Sequence, residues 1–153
     1  MLTDSIGETV TMLLVEDDEI DAEAIRRAFR KARIANPIEH VQDGLEALEL
    51  LQGSNGKQPL QRPYLILLDL NMPRMNGIEF LKQMRRDEQL RDSVVFVLTT
   101  SDDDQDKLQA YESQVAGYIV KSKAGEDFVN LIGMLDHYWR VVELPPEHDD
   151  FRK

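Results

Sequence analysis

Tyr64-Leu65-Ile66-Leu67-Leu68-Asp69-Leu70-Asn71-Met72-Pro73 is the stretch whose reading decides the fold. Its opening apolar run is too short to span a membrane and carries no helical stripe. It reads as a strand buried on both faces, the kind found in the middle of a parallel sheet. The run ends on Asp69, at the carboxyl end of the strand, where open α/β sheets hold their ligands. Pro73 and Gly77 then force a loop before the next helix. Taken alone, Asp69 is either a solvated strand-end acid or the reactive group of a site.

Working outward, the pattern repeats. Val10-Thr11-Met12-Leu13-Leu14-Val15 is a second run of strand formers, and it too ends on acids, Glu16-Asp17-Asp18-Glu19, with Asp21 just beyond. Ala22, Ile25, Ala28, Phe29 and Ala32 recur at helical spacing, and that helix must stop before Pro37. Residues 37–41 form a weaker strand candidate. Leu45, Leu48 and Leu51 mark a short amphipathic helix, and the breaker-rich residues 53–59 an exposed loop. Beyond the Asp69 strand, Ile78, Phe80, Leu81 and Met84 lie on a helix. Val94 to Thr100 is a strand ending on hydroxyls, and Asp102 to Gln114 a polar helix anchored by Leu108 and Tyr111. Gly117-Tyr118-Ile119-Val120-Lys121 is the last strand, ending on a cation, and Phe128, Leu131, Ile132, Leu135 and Trp139 mark a final helix. Such alternation implies parallel βαβ units with right-handed crossovers. The expected fold is an open, doubly wound α/β sheet of five strands with five helices.

The chain has 153 residues, enough for one domain with a full core; 42% are apolar and 31% charged, the composition of a soluble globular protein. No run approaches the ~20 apolar residues of a membrane helix. The polar, acidic residues 1–8 are wrong for a secretory signal. With no cysteine there is no disulfide framework, thiolate metal site or thiol nucleophile, which fits a reducing cytoplasm. A net charge of −11 argues against a nucleic-acid surface. Protein and cation partners remain.

All strands of a parallel sheet point the same way, so Glu16-Asp17, Asp69, Thr99 and Lys121 converge on one edge. Two carboxylates about 4 Å apart repel by roughly 4 kcal/mol at an effective dielectric near 20. A hard divalent cation relieves that, and all-oxygen ligands suit Mg²⁺. Lys121 offers a compact positive charge to a phosphoryl oxygen, and a carboxylate so placed can act as a nucleophile toward phosphorus. Thr99 could donate a hydrogen bond to the same group. Each residue also has a plainer reading: Asp18 can simply cap the following helix, a strand-end threonine is usually structural, and a lone lysine is usually a solvated tip. Their convergence on one edge is what favours a site.

Four blocks in order now carry a resemblance: Leu13-Leu14-Val15-Glu16-Asp17-Asp18, Leu67 through Gly77, Val97-Leu98-Thr99-Thr100-Ser101 and Gly117-Tyr118-Ile119-Val120-Lys121. Over roughly residues 9–140 the chain resembles the receiver domains of bacterial two-component response regulators. The resemblance implies a CheY-like sheet of order 2-1-3-4-5, with residues 1–8 an extension and 141–153 a tail. It implies Asp69 as phosphoryl acceptor, Asp17 as direct Mg²⁺ ligand with Glu16 beside it, and the Asn71 carbonyl completing the metal site. Thr99 becomes the switch hydroxyl, Tyr118 the switch aromatic and Lys121 the phosphate-binding lysine. It further implies a cytoplasmic bacterial protein that takes its phosphoryl group from a sensor histidine kinase and slowly hydrolyses it, without being an enzyme toward other substrates. Asn36-Pro37, Leu98 to Ser101 and Tyr138 to Pro145 are similar to the single-domain regulators paired with phytochrome-type kinases, commonly dimers. One departure is Ser122, where the family usually has a proline that aims the lysine.

Only about a dozen residues follow the last helix, so output is expected through a protein-binding surface, toward a downstream protein or a histidine phosphotransfer protein. Tyr138, Trp139, Val141, Val142 and Leu144 are many apolar groups for a terminus. They either finish the core or, for Val142 and Leu144, form a dimer or partner contact. Two other classes stay open: an Mg²⁺-dependent phosphohydrolase with an aspartate nucleophile, disfavoured because Asn71 stands where a second aspartate would be needed, and a receiver-like module that is never phosphorylated.

Overall fold

The structure, a computed structural model, describes residues 9–72, 74–121, 133–135, 137, 138, 141 and 143–146. The elements run β1 (Thr11–Val15), α1 (Glu19–Lys31), β2 (Ile38–Val41), α2 (Gly44–Gln52), β3 (Tyr64–Leu68), α3 (Gly77–Arg86), β4 (Val95–Thr99), α4 (Asp104–Glu112) and β5 (Gly117–Val120). Residues 133–135, 137, 138 and 141 are helical, at the place of the expected fifth helix. The five strands form one parallel sheet in the order β2-β1-β3-β4-β5, as expected.

Alternate residues of each central strand enter opposite cores, which is why β1, β3 and β4 read as unbroken apolar runs. Leu13, Val15, Ile66, Leu68, Val95 and Val97 pack with Leu48 and Leu51 of α2 and with Phe80, Leu81 and Met84 of α3. On the other face Met12, Leu14, Leu65, Leu67, Phe96 and Leu98 pack with Ala22, Ile25 and Phe29 of α1 and with Leu135. Burying each such side chain stabilises the fold by about 1.5–3 kcal/mol.

Each bounded helix begins with an Asp or Asn whose side chain accepts from the first turn: Asp18, Asp43, Asn76 and Asp103. In a βαβ fold helices start where strands end. The capping acids therefore lie on the same edge as the strand-end acids.

Three expectations need correction. Leu45, read as part of the apolar stripe of α2, is exposed, and Ala47 takes the inward position. Leu108 and Tyr111 do not anchor α4: they are 56% and 53% exposed, and only Ala110 of that helix is buried. With two acids in its first turn, α4 joins the core through Ala110. Leu144, held out as a partner contact, is buried in the core beside α1, and Tyr138 packs edge-on against Phe96 with ring centroids 5.1 Å apart. Phe128, Leu131, Ile132, Trp139, Val142 and Ser122 lie outside the described residues.

Candidate functional site

The carboxyl edge of the sheet assembles the site through the strand ladder. The Glu16 N–H donates to Val41 O and the Asp69 N–H to Val15 O, both at 3.0 Å. The first residues beyond β1 and β3 are thereby locked side by side. Carboxylate oxygens of Glu16, Asp17 and Asp69 all lie within 4.8 Å of one another. Glu16 and Asp69 are buried, whereas Asp17 is exposed and lines a cleft of about 640 Å³ with Asn71, Met72, Glu79, Lys82 and Asp106.

Glu16 is the most constrained of the three. Its Oε1 accepts from the Asp18 N–H at 3.1 Å and its Oε2 from Lys121 Nζ at 2.7 Å. Burial pushes its carboxyl up to about 7, against the lowering effect of the Lys121 hydrogen bond and with a further push from the Asp69 charge. His40 on β2 donates from Nε2 to the Glu16 carbonyl at 2.7 Å, which fixes the strap between β1 and α1.

Lys121 lies among the acids as the alignment of strand ends requires, yet its closest partners are not Asp69. Its ammonium is 2.7 Å from Glu16 Oε2 and 2.7 Å from Asp21 Oδ2, with Asp69 Oδ2 at 3.9 Å. Burial pushes the ammonium toward the neutral form, but the hydrogen bonds to Asp21 and Glu16 and the Asp69 charge outweigh it, and its pKa is raised. The Lys121–Ser122 bond lies outside the described residues.

The loop after β3 is shaped by its own contacts. The Asn71 N–H donates to Asp69 Oδ1 at 3.3 Å. The Gly77 N–H closes back on Leu70 O at 3.0 Å. Further along, Arg74 Nε donates to Asp43 Oδ2 at 2.6 Å, and the Gly44 N–H to Met75 O at 3.0 Å. The loop is thus docked on the amino terminus of α2.

Thr99 is fully buried at the end of β4, where its Oγ1 accepts from the Ser101 N–H at 3.3 Å. Tyr118 is turned toward the β4–α4 loop, donating from its hydroxyl to Ser101 O at 2.9 Å, while the Ser101 hydroxyl donates to Asp106 Oδ2 at 2.6 Å. Both residues expected to act as a switch therefore converge on Ser101. Sequence reasoning assigned no role to Asp21, Asp43, Arg74 or Ser101. Asp21 was within reach, because it stands in the first turn of a helix that starts at this edge.

Residues 12–133 match the family described as the response regulator receiver domain. The chain belongs to that family. The receiver is 32% identical to the response regulator Rcp1 of Synechocystis sp. over 145 residues, 94% of this chain and 99% of that protein. The crystal structure of the Mn²⁺-bound form of Rcp1 superposes with a TM-score of 0.77 at 33% identity, covering 88% of this chain and 98% of the other. That of the phosphorylated cyanobacterial phytochrome response regulator RcpA gives 0.75 at 31% identity, covering 88% and 97%. The receiver is thus a signalling domain of the two-component type, related to phytochrome response regulators. Among its described residues no helix is long and apolar enough to cross a membrane.

Proposed function

We propose that this receiver takes a phosphoryl group onto Asp69 from a sensor histidine kinase, with Mg²⁺ bound, and passes the signal on by protein contact. The observation that carries this is the gathering of the Glu16, Asp17 and Asp69 carboxylates within 4.8 Å of one another beside the Lys121 ammonium. The donor set fits a hard divalent cation: it is all oxygen, clustered, and includes a buried carboxyl pushed up to about 7 by desolvation. Glu16, Asp17, Asp69 and the Asn71 carbonyl would hold it. When bound, such a cation supplies positive charge to the phosphoryl oxygens.

Asp69 acts as the nucleophile. A carboxylate oxygen attacks phosphorus, the P–N bond of the phosphohistidine breaks, and the imidazole leaves with the bonding pair and takes up a proton. An acyl phosphate remains on Asp69. Lys121 faces the developing charge and Thr99 lies at the end of the neighbouring strand, where its hydroxyl can meet a phosphoryl oxygen. Hydrolysis returns the carboxylate and releases inorganic phosphate as water attacks phosphorus.

The likeness to RcpA favours a phytochrome-type kinase as the donor. A bacterial cytoplasmic setting goes with that partner. The output surface in this reading is the face of α4 and β5, where Leu108 and Tyr111 are exposed and Tyr118 bonds to the β4–α4 loop. The receiver would span 9–140, with the 141–153 tail and its exposed Val141 available to a dimer. The deciding experiment is mass spectrometry after incubation with acetyl phosphate, with and without Mg²⁺, on wild type and Asp69→Asn. One phosphoryl group gained only with Mg²⁺ and only by the wild type is the expected result. An adduct persisting in the Asn variant would move the acceptor elsewhere.

A further inference from the structure

Assigning Lys121 to the phosphoryl group leaves open what aims it. A lysine is a point charge on a flexible stem, without the planar fork by which an arginine fixes its own geometry. We propose that Asp21 is a positioning residue which, with Glu16, holds the Lys121 ammonium beside Asp69 before the phosphoryl group arrives. This rests on the reading of Asp69 given above and concerns the same site.

Two acceptors from different segments fix the ammonium: Glu16, just past β1, and Asp21, in the first turn of α1, each at 2.7 Å. Asp69 Oδ2, at 3.9 Å, is within ion-pair range but beyond hydrogen-bond range. An ammonium has three donors. With two committed, the third is left for the Asp69 side. A phosphoryl group on Asp69 would carry its oxygens outward from the carboxylate and into that gap, so Lys121 could bind it without leaving its two anchors. The Lys121 side chain is 12% exposed, so water cannot readily replace a missing partner.

Asp21 is itself held in place, because its backbone N–H donates to the capping carboxylate of Asp18 at 3.2 Å. It stands outside the trio of acids whose oxygens gather within 4.8 Å. Its carboxylate therefore serves the lysine rather than a cation. The plainer role for an acid in a first turn is to favour the helix dipole. Glu19 occupies the same turn and provides the control.

The test is the rate of Asp69 phosphorylation by acetyl phosphate with Mg²⁺ in wild type, Asp21→Ala, Lys121→Ala, the double variant and Glu19→Gln. Asp21→Ala should slow the reaction about tenfold, equivalent to about 1.4 kcal/mol of barrier. In the Lys121→Ala background the same substitution should have no further effect, and Glu19→Gln should match wild type. Asp21→Asn, which keeps an acceptor and the helix turn, should recover most of the rate and guards against misfolding of the alanine variant. Mn²⁺ affinity, read by electron paramagnetic resonance, should be equal in Lys121→Ala and the double variant. An Asp21→Ala rate equal to wild type overturns the positioning role and leaves phosphorylation standing. A loss of Mn²⁺ affinity in the double variant overturns it in favour of a cation ligand. Wild type that takes up no phosphoryl group at all removes both readings together.

Discussion

Gly77 closes directly on the main chain of Asp69: a Cβ at position 77 would stand 2.7 Å from the Asp69 carbonyl oxygen and 2.7 Å from Leu70 Cα. Both obstacles are backbone, so the loop itself would have to move. Gly77→Ala should destabilise the protein by roughly 1–3 kcal/mol and displace Asp69. A lowered urea midpoint together with weakened Mn²⁺ binding is the expected pair of results. Normal Mn²⁺ affinity in a destabilised variant would show that the strain is absorbed in α3 instead.

Asp43 joins two parts of this edge. Its Oδ1 accepts from the Glu46 N–H at 2.9 Å and its Oδ2 from Arg74. Burial pushes the carboxyl up, but the hydrogen bonds from Arg74 and the Glu46 N–H outweigh it and hold the group below its usual 3.8. A depressed carboxyl contributes stability above its unfolded value and loses it as the pH falls through the folded one. Asp43→Ala should therefore cost about 1–2 kcal/mol at neutral pH, and clearly less in acid well below 3.8. Urea melts at both pH values check this, and an equal loss in each would contradict it.

Glu16 has the opposite sign. In the metal-free protein its carboxyl is pushed from 4.5 up to about 7, so between those values the folded state holds a proton that the unfolded chain releases. Its contribution therefore falls as the pH rises through that window, by up to roughly 3 kcal/mol. Glu16→Gln should remove this slope. Stability measured with a chelator present, across the window, should decline more steeply in wild type than in the variant.

Leu144 and Val141 lie close in sequence but differ in burial, at 6% and 62% exposed. Leu144→Ala should cost about 2–5 kcal/mol, while Val141→Ala should stay within about 0.5 kcal/mol of wild type. If the two melted alike, the packing of the tail on the α1 face would be wrong. Light scattering over a concentration series, with and without residues 141–153, separates this stabilising role from a dimer contact.

Thr99 is the coupling element if Asp69 is the acceptor. Moving a population from 1:99 to 99:1 takes roughly 5.5 kcal/mol, and charge-assisted hydrogen bonds at about 1.5–3 kcal/mol each are of the right size. Thr99→Ala should permit phosphorylation of Asp69 yet abolish its effect on the environment of Tyr118, read by NMR shifts of the tyrosine ring. An unchanged Tyr118 response would remove Thr99 from the pathway.

The order of elements, the parallel sheet and the shared edge of Glu16, Asp17, Asp69, Thr99 and Lys121 were legible in the chain by itself. The reason is physical: a strand buried on both faces must be an unbroken apolar run, and the first polar residue after it marks its end. Tertiary structure alone decided which carboxylates Lys121 touches, because Asp21 and Lys121, 100 positions apart in the chain, are brought together by packing of α1 against the sheet. It alone turned Leu108 and Tyr111 outward and Leu144 inward, since a short or weakly amphipathic segment has no periodicity strong enough to fix its own face. The docking of the Asp69 loop on α2 belongs to the same class, for Arg74 and Asp43 carry no local pattern and meet only once both helices are in place.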